Sequence, residues 1–148
     1  MKPEDAWGAR WHNCAHPLSH EYMQLACEKE SLLVLAADLP TVDQIVELVE
    51  KVGDYVCALK THVDMVEGFS MESWFRVVQV ARSKKMLLFE DRKFADIGRV
   101  VQTQMGGLYD MRSWADLVTS HSVSGPDVVD GLGAGWEEVE RVGGVLLL

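Results

Sequence analysis

The chain has 148 residues with 48% hydrophobic and 25% charged residues and a net charge of −9, one domain's worth of soluble globular protein. The acidic balance excludes the clustered lysines and arginines of a nucleic-acid footprint, and no run approaches the ~20 apolar residues of a membrane span. Cys14, Cys27 and Cys57 form no C-x-x-C pair and are odd in number, and the opening MKPEDAWGARWHNCAHP lacks a signal peptide's apolar core, so a reducing, cytoplasmic setting is expected.

Residues 1–18 read as an N-terminal arm, and 19–148 as alternating strands and helices. A first helix spans Ser19 to Glu30 with Ser19 as its N-cap, and Leu32 to Ala37 is an apolar run ending in Asp38. Thr41 to Val52 is helical: Thr41 and Gln44 suggest a capping box, Val42, Ile45, Val46 and Val49 form a stripe, and Gly53 closes it. A second apolar run, Tyr55 to Leu59, ends in Lys60, and Ser70 caps a helix carrying Met71, Trp74, Phe75, Val78 and Ala81.

The third run, Met86 to Phe89, drives into the charged stretch EDRKFAD, which is expected to be a loop. A helix then spans Ile97 to Met105 and stops at Gly106-Gly107. Ala115 to Ser120 is a fourth run ending in His121, Gly125-Pro126 opens a helix to about Arg141, and Val145 to Leu148 begins a fifth run. Such alternation predicts an α/β fold with a parallel sheet covered by helices. No glycine-rich dinucleotide fingerprint follows any strand. A (β/α)8 barrel of about 250 residues remains. The chain is read as its N-terminal half, four βα units and the start of a fifth strand, with GVLLL resembling a cut strand.

Four successive strands then end in ionisable groups: Asp38, Lys60, Asp91 with Lys93, and His121. In a βα barrel these would share the C-terminal rim, where that fold does its chemistry. Other features have plainer readings. His12, Cys14, His16 and His20 are interrupted by Pro17, so no metal site is expected there. Cys57, Trp74 and Trp114 read as core, WEEVER as a solvated helix face, and His121 stays open between rim ligand and core histidine.

FEDRKFADIG (89–98) and LKTHVDM (59–65), with WADLVTSHSVSGPDVVDGL (114–132), closely resemble orotidine 5'-monophosphate decarboxylase of the eukaryotic type, the form fused into uridine monophosphate synthase. D-x-K-x-x-D alone is shared with related sugar-phosphate decarboxylases, whereas its combination with K-T-H-V-D is specific. The resemblance implies a carboxy-lyase forming uridine 5'-phosphate, with Lys60, Asp91, Lys93 and Asp96 as the catalytic array. Lys93 would protonate C6 as carbon dioxide leaves, and Asp91 would sit beside the substrate carboxylate. Asp96 would reach across a homodimer interface. Asp38 and Lys60 would hold the ribose hydroxyls, with Thr61 and His62 in the same binding segment.

It implies neither metal nor organic cofactor, and the phosphate-gripping arginine would belong to the second half of the barrel. Two positions depart from the family pattern: Ala36 stands where a serine is usual, and Val100 where a threonine is usual. Two alternatives stay open. One is a related sugar-phosphate decarboxylase or aldolase using magnesium on the same rim. The other is a catalytically silent half barrel that only associates with partners.

Overall fold

The computed structural model describes residues 1–148. Five parallel strands stand in sequential order: β1 (Val34–Ala36), β2 (Ala58–Thr61), β3 (Leu87–Phe94), β4 (Leu117–Ser120) and β5 (Gly144–Leu147). The arm forms two short helices, α1 (Pro3–Trp7) and α2 (Ala9–Asn13), followed by α3 (Pro17–Lys29). The crossovers are α4 (Val42–Val52), α5 (Met71–Ser83), α6 (Gly98–Met105) with the single turn α7 (Met111–Trp114), and α8 (Asp127–Glu137). This is half of a (β/α)8 barrel, open at both edges.

Alternation along the strands divides the sheet into two faces. Leu59, Leu88 and Val118 are fully buried and join Val49, Trp74, Val77, Met105, Trp114 and Leu132 in one core between sheet and helices. Fully burying each such aliphatic side chain contributes roughly 1.5–3 kcal/mol. Trp74 of α5 meets Trp114 of α7 edge to face, ring centroids 5.1 Å apart, so both tryptophans pack as core. The opposite face is the barrel interior. There Leu25 and Ala26 of α3 cover Cys57, Ala58 and Leu87 at the N-terminal end of the sheet. Lys29 closes α3 by donating to the carbonyls of Gly53, Val56 and Lys84 at 2.6–2.7 Å.

Local signals set several element ends as expected. The Thr41 hydroxyl accepts from Gln44 N–H at α4, and Ser70 and Ser73 complete a reciprocal capping box at α5. Others differ. The cap of α3 is His16, whose Nδ1 accepts the Leu18 N–H, because Pro17 with its fixed φ takes the first helical position. Phe75 points outward, 49% exposed, and Val77 takes its place in the core. Helix α8 stops at Glu137, freeing Arg141 to turn beneath the sheet.

The largest difference lies in the charged stretch, which is strand and not loop: β3 continues through Glu90, Asp91, Arg92 and Lys93 to Phe94. Its pairing with β4 shifts there, with Glu90 opposite Val118 and Phe94 opposite Ser120, so Asp91–Lys93 face Thr119 alone. Such a bulge twists a strand and re-aims its side chains. Gly98 and Gly131 then bring α6 and α8 into backbone contact, since a Cβ on Gly131 would lie 2.1 Å from the Gly98 carbonyl oxygen. The glycine ending FEDRKFADIG is required by that crossing.

Candidate active site

The strand ends place Asp38, Lys60, His62, Asp91 and Lys93 together on the C-terminal rim, facing the barrel interior. Lys60 and His62 lie two apart on β2 and its exit, so they share a face. Asp91 and Lys93 would do the same on a regular strand, and the bulge gathers them further. Lys93 has φ +54, a left-handed conformation that costs a non-glycine residue of order 1 kcal/mol. Its N–H donates to Thr119 Oγ1 at 2.8 Å, which secures that conformation.

Asp91 is the centre of the cluster. Its Oδ2 lies 2.6 Å from Lys93 Nζ, 3.3 Å from Lys60 Nζ and 3.4 Å from His62 Nε2. Its Oδ1 accepts the Thr119 hydroxyl at 2.9 Å. Lys60 and His62 are 3.1 Å apart, and each reaches Asp38 Oδ1 at 4.0 Å. Burial alone would raise the pKa of Asp91. Hydrogen bonds from Lys93, Thr119 and Lys60, with the charge of Lys93, overcome it and hold the carboxyl at about 2 against an ordinary 3.8. The cluster therefore presents a fixed carboxylate between two ammonium groups. The Lys93 side chain is 43% exposed and Asp38 49%, while Asp91 is 14% exposed, so the outer charges face the open side and the central one is held within.

The other expected site residues lie elsewhere. Thr61 is buried on the opposite face of β2 and donates its hydroxyl to Glu90 at 2.7 Å. Asp96 is exposed, and its Oδ1 accepts the Ile97 N–H at the start of α6; it is not among the ion pairs that link Asp38, Lys60, His62, Asp91 and Lys93. The half-buried His121 anchors β4 through its backbone N–H to Phe94 O at 2.7 Å. Ala36 pairs with Lys60 across β1 and β2, placing a methyl where the family pattern has a hydroxyl. Val100 sits half-buried in the first turn of α6.

Thr119 and Glu90 are the two polar side chains that the motifs did not single out. Strand parity carries a signal for Thr119, two residues before His121 and so on the interior face. Glu90 has no comparable local signal, because its position opposite Thr61 depends on the β2–β3 register. Atoms of His62, Asp64 and Glu90 that could ligate a cation lie within 4.8 Å of one another, with both Glu90 oxygens already accepting from Thr61 and Val63. Two grooves lie away from the rim, one of about 730 Å³ being walled by Trp7, Tyr22, Met23, Val34, Phe89 and Leu146.

Comparison with known proteins agrees with this architecture. The solved orotidine 5'-monophosphate decarboxylase from Methanocaldococcus jannaschii superposes with a TM-score of 0.61 at 23% identity, over 78% of this chain and 52% of that one, which supports the fold. Among curated relatives, the orotidine 5'-phosphate decarboxylase of Schizosaccharomyces pombe is 41% identical over 128 residues, 86% of this chain and 48% of its own. That of Kluyveromyces marxianus is 42% identical over 84% of this chain and 48% of its own, and that of Candida parapsilosis 36% identical over 100% and 56%. The chain thus spans about half the length of the curated relatives it matches. Residues 31–148, the whole βα portion with its rim of alternating carboxylates and ammonium groups, match one family throughout, and the chain belongs to the orotidine 5'-phosphate decarboxylase / HUMPS family.

Proposed function

We propose that this chain carries the proton-donating part of an orotidine 5'-phosphate decarboxylase site, active on orotidine 5'-phosphate and yielding uridine 5'-phosphate in pyrimidine biosynthesis. The observation that carries the reading is Asp91 held between Lys60 and Lys93, with His62 and Asp38 beside them. Loss of carbon dioxide from C6 leaves an electron pair on carbon, and a pre-placed ammonium stabilises it without solvent reorganisation. Lys93 donates its proton to C6. Asp91 keeps Lys93 charged and oriented and stands beside the departing carboxylate. Lys60 and Asp38 hold the ribose hydroxyls, with His62 against both. These roles need no metal or organic cofactor.

Asp96 belongs, in this reading, to the partner's site in a homodimer: its exposure and its hydrogen bond to the Ile97 N–H in place of a cation of its own cluster support that role. The protein acts in the cytoplasm, away from membranes and nucleic acid. No helix is long and apolar enough to cross a membrane.

The test is a chimera in which residues 31–148 replace the matching segment of the S. pombe enzyme. It should convert orotidine 5'-phosphate, followed by ultraviolet absorbance, at a rate unaffected by a chelator. A folded but inactive chimera, or one in which Lys93→Ala turns over normally, overturns the reading. Loss of activity with chelator would point instead to a magnesium-dependent sugar-phosphate enzyme.

A further inference from the structure

Glu90 is wholly buried, and the rim cluster centred on Asp91 does not include it. Adjacent residues of β3 face opposite ways, so Glu90 points to the helix side of the sheet while Asp91 points into the barrel. Its Oε2 accepts the Thr61 hydroxyl at 2.7 Å, and the carboxyl also accepts the Val63 N–H at 3.1 and 3.2 Å. These two donors bracket His62, at the point where β2 ends and a tight turn, Val63–Met65, begins. The end of β2 is therefore held from both faces by one dipeptide of β3. Glu90 grips Thr61 and Val63, and Asp91 contacts Lys60 and His62.

A side chain that only filled space here would be apolar, because a buried carboxyl is costly unless hydrogen-bonded. Burial in fact raises Glu90 to about 8 from an ordinary 4.5, against the opposing hydrogen bonds from Thr61 and Val63. The group that occupies this position can accept from two donors at once, which no apolar residue can do.

We propose that Glu90 is a positioning residue: through Thr61 and Val63 it sets the placement of Lys60 and His62 against Asp91 and the bound nucleotide. The proposal rests on the decarboxylase reading. Thr61 acts on the site through this clamp and does not touch substrate.

The experiment uses the same chimera with Glu90→Leu, Glu90→Gln and Lys60→Ala. Misplacing a substrate-positioning group by an ångström can cost on the order of 100-fold. Glu90→Leu should raise KM by about tenfold or more and lower kcat as well. Glu90→Gln should recover most of the loss, since its carbonyl can accept from Val63 while its amide donates to the Thr61 oxygen. In a Lys60→Ala background Glu90→Leu should add little, as expected of residues acting through one another. Unchanged constants in Glu90→Leu, or a loss fully additive with Lys60→Ala, overturns the proposal.

Where Glu90→Leu does not fold, Thr61→Val, which removes one donor while keeping the volume, carries the same prediction and the same cycle with Lys60→Ala. An inactive wild-type chimera would count against the decarboxylase reading and not against the clamp. The clamp is then judged in residues 1–148 by hydrogen exchange at the Val63 amide. Protection that is lost in Glu90→Leu and kept in Glu90→Gln supports it, and equal protection in all three overturns it.

Discussion

Two aspartates on neighbouring strands each gather two cations, at opposite ends of the sheet. Asp116, just before β4, accepts from both terminal nitrogens of Arg82 at 2.6 and 2.7 Å, from Arg141 at 2.7 Å and from the Leu88 N–H at 2.8 Å. Both arginines also donate onward, Arg82 to Trp114 O and Arg141 to Arg112 O, each at 3.0 Å. Asp91, at the other end, is met by the ammonium groups of Lys60 and Lys93 and by His62. A guanidinium is a rigid fork whose donors are committed once paired, whereas an ammonium on a four-carbon stem keeps donors to spare and can swing. The N-terminal cluster is saturated and joins β3, β4, α5 and the approach to β5. The C-terminal cluster leaves Lys93 43% exposed and able to meet something else. The contrast matches the division of labour in βα barrels, with stability at the bottom and chemistry at the top.

If the contrast is right, activity and stability should separate cleanly between the two ends. Lys93→Ala in the chimera should lower turnover by more than about 10³-fold, since it removes the proposed proton donor. Its thermal midpoint should stay close to that of the parent. A midpoint that fell with the activity would make Lys93 a stability residue and erase the distinction.

Asp116→Ala is the converse. It strands the Leu88 N–H and two arginines that are 38% and 25% exposed, and losing hydrogen bonds to a charged, partly buried group costs about 1.5–3 kcal/mol. Urea unfolding of residues 1–148 measures it directly. A loss below about 1 kcal/mol, typical of surface pairs, would show that the saturated cluster does not hold the sheet.

The pH dependence of stability sharpens the comparison, because Glu90 and Asp91 shift in opposite directions. Glu90 is raised from 4.5 to about 8. Between those values the folded state holds a proton that the unfolded state has released, so stability present in full below pH 4.5 is lost as pH rises through 8. Asp91 is lowered from 3.8 to about 2, so its contribution is present above 3.8 and lost as pH falls through 2. Thermal midpoints from pH 5 to 9 should therefore decline, and Glu90→Gln should flatten the decline. An identical slope in wild type and Glu90→Gln would contradict the assignment.

The smallest signal concerns Asp96. Mixing inactive Lys93→Ala and Asp96→Ala chimeras should restore roughly a quarter of parental activity, if half the dimers are mixed and one of their two sites is intact. No recovery after confirmed subunit exchange would return Asp96 to its own chain's site.

Much of this protein was legible in the sequence because it is written in local patterns. Apolar runs marked the cores of the five strands, period-3.6 stripes marked α4 and α5, and Thr41 and Ser70 sit where a hydroxyl can accept from the third residue on. The ionisable strand ends followed from order alone, since parallel strands bring all their C-termini to one side. Tertiary structure decided what depends on partners distant in sequence. Whether EDRKF was loop or strand turned on Thr119, 26 residues beyond Lys93, which holds the bulge and the left-handed backbone. The place of Thr61, facing away from the other rim residues, was set by Glu90 across the β2–β3 register. Asp116 carried no signal in the sequence, because Arg82 and Arg141 converge on it from 34 and 25 residues away. A sequence window reports periodicity and caps because their partners lie within a few residues. A buried charge is decided by what packs around it, and only the closed fold supplies that.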